Sequence, residues 1–284
     1  MDGNCRMQNA NCKFVLVPRL HFAVAAALLV AVGAARRVAA AWVDQRVVEP
    51  FVLRSEFALA GADDLIKDLQ RLPSDVCDAL KIPKAEGPID VYLFGGKSTY
   101  DQYLARNLPD VVQRRALYVK RGGRAMVLAY RNGDFAIDVR HECTHALLHA
   151  VLPMVPLWLD EGLAKYFEVP ADKRAFDNPQ LAGLRRNVRL SGVPRLEKLE
   201  ALGKLSDMGP AEYRAACGWV HFLLHGSPAG HDELVRYLAD IRASALPGHL
   251  SQRLQRRSPA MAEGFSAHFQ NWQFKSSRRL VDTR

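Results

Sequence analysis

The stretch RHECTHALLHAVLPMVPLWLDEGLAKYFE, residues 140–168, decides how this chain of 284 residues folds and what it does. Apolar residues recur at helical spacing on both sides of a short break that begins at Pro153 and ends at Pro156. Proline cannot continue a helix but suits its first turn. The pattern therefore predicts a helix over 135–152, a reversal at 153–155 and a second helix over 156–168.

The first of these helices carries the motif His141-Glu142-Cys143-Thr144-His145. The i, i+4 spacing places both imidazoles on one helix face, where two nitrogens can reach one metal ion. Glu142 projects beside them and can act as general base toward a water at that ion. The alternative interpretation is a helix whose histidines make only structural hydrogen bonds.

A catalytic zinc site takes three protein ligands and keeps one position open. His149 continues the i+4 series but lies about 12 Å along a straight helix from His141, too far for both to bind one ion. We therefore expect His149 in the core or beside a ligand. The metzincin pattern is excluded, since Leu148 and Val151 stand where it requires glycine and histidine.

Glu161 fits the third position. The first helix continues about 10 Å beyond His145, and the second returns about 8 Å to Glu161. A tight reversal between them would bring the carboxylate level with the two histidines. Acids near a helix N-terminus are also favoured by the helix dipole, so the alternative for Asp160 and Glu161 is that they are plain first-turn acids.

Residues 158–168, WLDEGLAKYFE, resemble the W-L-x-E-G-x-A-x-Y-x-E element of the gluzincin metallopeptidases. The chain is similar to the membrane-alanyl-type aminopeptidases and resembles the bacterial peptidase MA-like families more closely. The resemblance implies a zincin-like fold with Zn²⁺ on His141, His145 and Glu161. It also implies that Glu168 supports a ligand histidine, as carboxylates often do. A solvated surface acid is the alternative for Glu168.

Two departures from the family pattern limit what the resemblance implies. Only 15 residues separate His145 from Glu161, fewer than in typical aminopeptidases. The glycine-rich strand motif that binds a free amino terminus lacks its glutamate in residues 122–126, so aminopeptidase specificity is not expected. The strand over 125–130 is either an edge on which an extended peptide lies or an ordinary hairpin strand.

Catalysis also needs a donor for the oxyanion. Tyr213, at the start of a predicted helix, is the candidate, with helix packing as its alternative role. His221 and His225 repeat the i, i+4 spacing without a glutamate between them. We expect them to be core histidines rather than a second metal site.

The first 41 residues contain 14 consecutive apolar residues, at 22–35, and small residues at 39–41. Fourteen residues are too few to span a bilayer of about 30 Å comfortably, so the pattern predicts a secretory signal peptide. Arg36 and Arg37 lie between the run and the small residues, which leaves an uncleaved membrane anchor through residues 14–35 as the alternative. Either way we expect an exported protein: periplasmic, on the cell surface or secreted.

The remaining cysteines and charges give weaker signals. Cys77 and Cys217 either form a disulfide or stay isolated thiols, and Cys143 is expected to pack in the core. The net charge is +9, and arginines cluster at 185–189 and in the basic tail at 275–284. Such clusters are solvated faces or attract acidic partners, and we expect no nucleic-acid partner.

The sequence predicts an α+β domain over 42–284, with a mixed lobe of strands and helices at 42–152 and a helical lobe at 153–284. A strand is predicted over 47–53, and a β-hairpin over 116–130 turns at Gly122-Gly123. The expected activity is hydrolysis of peptide bonds in a peptide or protein substrate. The alternative is a non-catalytic module, either a degenerate peptidase that binds zinc or peptide, or a basic protein that binds a polyanion.

Overall fold

A computed structural model describes residues 42–257 and 259–272. The predicted signal or anchor segment, its cleavage site, Cys5, Cys12 and the basic tail lie outside the described residues. Within them, no helix is both long and apolar enough to cross a membrane.

The described residues form an α+β structure with one mixed sheet of five strands in the order β1-β2-β3-β5-β4. Strands β2, β3 and β5 are parallel, whereas β1 and β4 run antiparallel to their neighbours. The strands are β1 (Asp44–Val48), β2 (Phe51–Ser55), β3 (Ile89–Phe94), β4 (Ala116–Arg121) and β5 (Arg124–Tyr130).

Helices make up most of the rest, and every strand of the described part lies before residue 131. The helices are α1 (Asp63–Leu80), α2 (Lys97–Asn107), α3 (Phe135–Val151), α4 (Leu157–Phe167), α5 (Ala171–Arg174), α6 (Pro179–Ser191), α7 (Leu196–Glu200), α8 (Pro210–His225), α9 (Pro228–Arg242), α10 (Leu250–Arg257) and α11 (Met261–Asn271). The two helices predicted around Pro153 are α3 and α4.

One prediction about the sheet is wrong, and one of the two alternatives for the strand at 125–130 is excluded. The single strand predicted over 47–53 is two antiparallel strands, because Pro50 has no amide hydrogen for a ladder and stands in the turn between Val48 and Phe51. The strand at 125–130 is not an edge, since β5 pairs with β3 on one side and β4 on the other. The predicted β4–β5 hairpin is confirmed, and it is β4 that ends this side of the sheet.

The sheet separates two apolar layers. On one face α1 and α3 bury strand residues such as Leu53, Val91 and Val127. On the other face α2 packs Tyr100 against Phe94. Burial on both faces explains why β3 is fully buried along its length.

Helix α4 packs closely against α8, and Gly162 makes this approach feasible. A Cβ added at Gly162 would lie 2.8 Å from the carbonyl oxygen of Ala216 and 3.0 Å from Cγ2 of Val220. Both contacts are with the facing helix, one of them with its backbone. Any larger residue at position 162 would therefore push α4 away from α8.

We predict that Gly162→Ala lowers the free energy of unfolding by about 1–3 kcal/mol, the usual effect of overpacking. Chemical denaturation followed by circular dichroism measures this change. Gly203→Ala is the matched control, because a Cβ there meets nothing within 4 Å, and its effect should stay under about 0.5 kcal/mol. Equal stability of the two variants would contradict the close packing of α4 on α8.

Candidate metal centre

Helix α3 holds the two histidines of the H-E-x-x-H motif one turn apart. Their Nε2 atoms lie 3.2 Å from each other. The other side of the helix faces the core, where Cys143 is fully buried and Thr144 donates a hydrogen bond of 2.8 Å to the carbonyl of Arg140. The helix is therefore anchored on one face and presents both imidazoles on the other.

Helix α4 brings Glu161 to the same point. Its Oε2 atom lies 3.4 Å from Nε2 of His141 and 3.8 Å from Nε2 of His145, and the side chain is buried. The triangle of these three atoms has a circumradius of about 2.0 Å, which equals the zinc–ligand bond length of about 2.0–2.2 Å. Two imidazole nitrogens and one carboxylate oxygen also form a donor set that zinc commonly takes.

Glu168, at the end of α4, lies behind His141. Its Oε2 atom is 2.8 Å from Nδ1 of His141, so the opposite nitrogen of that ring is turned toward Glu161. Lys165 lies 3.0 Å from both carboxylate oxygens of Glu168 and balances its charge. This is the contact expected of a carboxylate that orients a ligand histidine.

Asp160 has a comparable contact with His145, which the sequence motifs did not predict. Its Oδ1 atom lies 3.0 Å from Nδ1 of His145, although the two groups are not aligned for a hydrogen bond. The other oxygen lies 2.9 Å from Nε2 of His149. The sequence feature that could have indicated this contact is the spacing of His145 and His149, which lie one helical turn apart, so that a single carboxylate can reach both rings.

His149 lies beside His145, a candidate metal ligand. This is one of the two positions predicted for it, which were the core and a place beside a ligand. Its ring stacks on Tyr118 with centroids 5.6 Å apart and planes inclined by 14°. His145, His149 and Asp160 form a second group compact enough for a metal ion. We favour the group of His141, His145 and Glu161, because His141 opens on a cleft whereas the polar atoms of Asp160 already face the two rings.

The carboxylates around the two histidines favour positive charge at this point of the structure. Burial alone lowers the pKa of His141, but the carboxylates of Glu161 and Glu168 outweigh it and raise that pKa to about 10. The pKa of His145 is raised in the same way, with Asp160 opposing the effect of burial. Burial raises the pKa of Glu161, yet the two imidazoles bring it below its usual value. Two protons or one divalent ion can supply this positive charge. The triangle of the two Nε2 atoms and the Oε2 atom has the size that the ion requires.

A cleft of about 460 Å³ borders this group. His141, Glu142 and Glu168 line it from α3 and α4, and Tyr213 lines it from α8. Burial and the charge of Glu161 raise the pKa of Tyr213 above its usual value. The predicted base and the predicted oxyanion donor therefore face the same space.

His221 is buried in a separate aromatic cluster, as predicted for a core histidine. His225, at the end of α8, contacts the same cluster but is exposed, so the prediction of a core histidine is wrong for it. Nε2 of His221 lies 2.8 Å from the carbonyl oxygen of Ala175, and its Nδ1 lies 3.0 Å from Nε2 of His268. Burial lowers the pKa of His221 to about 3. Within the described residues, no group compact enough for a metal includes any of these histidines.

The described cysteines are all free thiols, so the alternative of a disulfide between Cys77 and Cys217 is wrong. Cys77 is half-buried in α1, and Cys217 is buried in α8 near Asn178. The arginines at 185–189 lie on α6, and Arg185 donates to the carbonyl of Gln270 at 3.5 Å.

No protein-family model matches the chain, and no curated protein matches its sequence. The resemblance to gluzincins therefore remains a prediction from the sequence, clearest at residues 140–168.

We predict that Asp160→Asn weakens zinc binding by about 10- to 100-fold, because loss of a carboxylate behind a ligand histidine usually has that effect. Competition with a chromophoric chelator measures the affinity. Asp172→Asn, at an exposed acid of α5, is the control and should bind zinc like the parent protein. An unchanged affinity in Asp160→Asn would remove Asp160 from the site.

We also predict that zinc affinity rises with pH. Because the pKa of His141 is raised to about 10 in the metal-free site, the ion must displace a proton at neutral pH. The apparent affinity should therefore increase about tenfold per pH unit for each proton released. Calorimetric titrations between about pH 6 and 8, in buffers of different ionisation enthalpy, would count the protons. An affinity independent of pH would contradict protonated histidines in the metal-free protein.

Proposed function

We propose that the chain is a zinc-dependent metallopeptidase with a zincin-like fold. His141, His145 and Glu161 would hold the zinc, and Glu142 would act as general base. The observation that carries the proposal is the triangle of two imidazole nitrogens and one carboxylate oxygen, whose circumradius is close to the length of a zinc–ligand bond. A zinc ion held there supplies a Lewis acid that polarises the scissile carbonyl and makes nearby water more acidic.

Glu142 is suited to the role of base because, unlike the neighbouring acids, it is not committed to a partner. Glu161 faces both imidazoles, and Glu168 binds His141 and Lys165. Glu142 is half-buried, lines the cleft beside His141 and forms no ion pair with another described residue. Its carboxylate is therefore free to take a proton from a water in the cleft and to pass it to the leaving amine.

Tyr213 supports the proposal from the opposite helix. Its hydroxyl is protonated at neutral pH, as in any tyrosine, and burial and the nearby Glu161 raise its pKa further above the neutral range. A protonated phenol can donate a hydrogen bond to the oxygen that becomes negative as the carbonyl is attacked. Gly162 fixes the spacing of α4 and α8, and hence the distance between Glu161 and Tyr213.

Strand β4 offers a place for the peptide itself. Its first residue, Ala116, lines the cleft, and β4 pairs only with β5 among the described strands. An extended peptide can add to such an edge through backbone hydrogen bonds. We therefore propose that β4, rather than the strand at 125–130, is the edge on which an extended peptide lies.

We predict that Glu142→Gln keeps the zinc but loses peptide hydrolysis by about 10²- to 10⁴-fold, the usual contribution of a general base. Elemental analysis of the purified protein should give about one zinc in both forms, and a digest of a peptide library read by mass spectrometry reports the hydrolysis. Glu197→Gln, at an exposed acid of α7, is the control and should stay active.

Equal hydrolysis by the parent protein and Glu142→Gln would reject the mechanism. Zinc without hydrolysis in the parent protein would favour a degenerate peptidase. Binding to a polyanion that weakens steeply with salt, and that ignores chelators, would favour the basic binding module.

A further inference from the structure

The cleft beside the candidate metal centre is lined by more cationic side chains than carboxylates. Four cationic side chains line it against three carboxylates. The cations are Arg114, Arg115, Lys165 and Arg214, and the carboxylates are Asp138, Glu142 and Glu168.

Two of the four cations are already neutralised by acids of the protein. Arg115 lies 3.0 Å from Asp138 and also pairs with Asp134. Lys165 lies 3.0 Å from Glu168. Arg114 and Arg214 form no ion pair with any carboxylate of the described residues.

Arg214 is held in place on neutral partners. It follows Tyr213 on α8 and lies over Gly183 of α6, where an added Cβ would be 3.0 Å from its Nε atom. In the orientation that satisfies both ends of its amide, Asn187 accepts a hydrogen bond of 3.3 Å from Nη1 of Arg214 and donates one to the carbonyl of Gly183. The guanidinium is thus half-buried and positioned, yet its charge has no counterpart.

Arg114 approaches from the segment that precedes β4. It is exposed, lines the same cleft, and its charge acts on the hydroxyl of Tyr213. The two unpaired guanidinium groups therefore come from different elements to the neighbourhood of the same tyrosine.

We propose that Arg214, assisted by Arg114, binds a carboxylate of the peptide substrate close to the bond that is cleaved. Arginine suits this role because its planar donors match a carboxylate and it stays charged. The proposal rests on the proposed function. The carboxylate has two sources in a peptide, an aspartate or glutamate side chain and the C-terminus, and both offer the same chemistry.

Binding of labelled alanine-based peptides, measured by fluorescence anisotropy, tests this proposal. The peptides carry a single Glu or Gln at each position in turn, with either a free or an amidated C-terminus. The zinc-loaded Glu142→Gln protein is used so that the peptides stay intact. Arg214→Gln is added to it, and Arg189→Gln, on an exposed part of α6, is the matched control.

We expect peptides with a carboxylate to bind the parent protein about tenfold more tightly than neutral ones, as for a hydrogen-bonded charge pair. Arg214→Gln should remove that preference, whereas Arg189→Gln should keep it. Preference for amidated Glu peptides identifies a side chain, and preference for free-acid Gln peptides identifies the C-terminus. Tight binding should also weaken with salt.

The proposal is overturned if neutral peptides bind as tightly as acidic ones, if Arg214→Gln and Arg189→Gln behave alike, or if no peptide binds. Hydrolysis is assayed separately with the parent protein. Cleavage of neutral, amidated peptides without a preference for acidic ones would contradict the role of Arg214 and still support the proposed peptidase activity. Binding that prefers acidic peptides, without any cleavage by the parent protein, would support the role of Arg214 and contradict the peptidase activity.

Discussion

The structure depends on the pairing of buried carboxylates with two imidazoles between α3 and α4. Glu161 and Glu168 are both buried, and an unpaired buried charge is costly. Lys165 balances the charge of Glu168, whereas the contacts of Glu161 with His141 and His145 remove that cost only when positive charge is present, as protons or as a metal ion. The reversal between α3 and α4 is therefore essential to this pairing, because it brings Glu161 and Glu168 into contact with the imidazoles.

Helix α4 couples this pairing to the apolar core. Glu161 faces the histidines, while the next residue, Gly162, lets the helix approach α8. Tyr166, one turn further, donates or accepts a hydrogen bond of 2.7 Å with His225 of α8. The position of Tyr213 relative to the metal ligands is thus fixed by the same helix contact that buries the core, so the chemistry cannot be separated from the packing.

Local patterns were sufficient to predict much of this arrangement. The helical period and the prolines gave α3 and α4 to within a residue, and helix lengths alone predicted that Glu161 returns to the histidines. The order of the strands was not accessible, because β5 pairs not only with its hairpin partner β4 but also with β3, which is remote in sequence. The contact of Asp160 with His145 depends on how α4 is rotated about its axis, which periodicity does not specify.

The four acids around the candidate metal centre differ in whether they contact an imidazole. Three of them do, which suits them to holding the histidines in place, and the fourth, Glu142, does not, which suits it to the proposed reaction. Asp160, Glu161 and Glu168 lie against imidazoles, so protonating any of them would leave a ring without its partner. Glu142 has the same chemistry but lines the cleft and forms no ion pair with another described residue. A site can assign a base among several carboxylates by giving each a different environment. Successive helix residues point about 100° apart, so Glu142 can face the cleft while its neighbour His141 contacts Glu161 and Glu168.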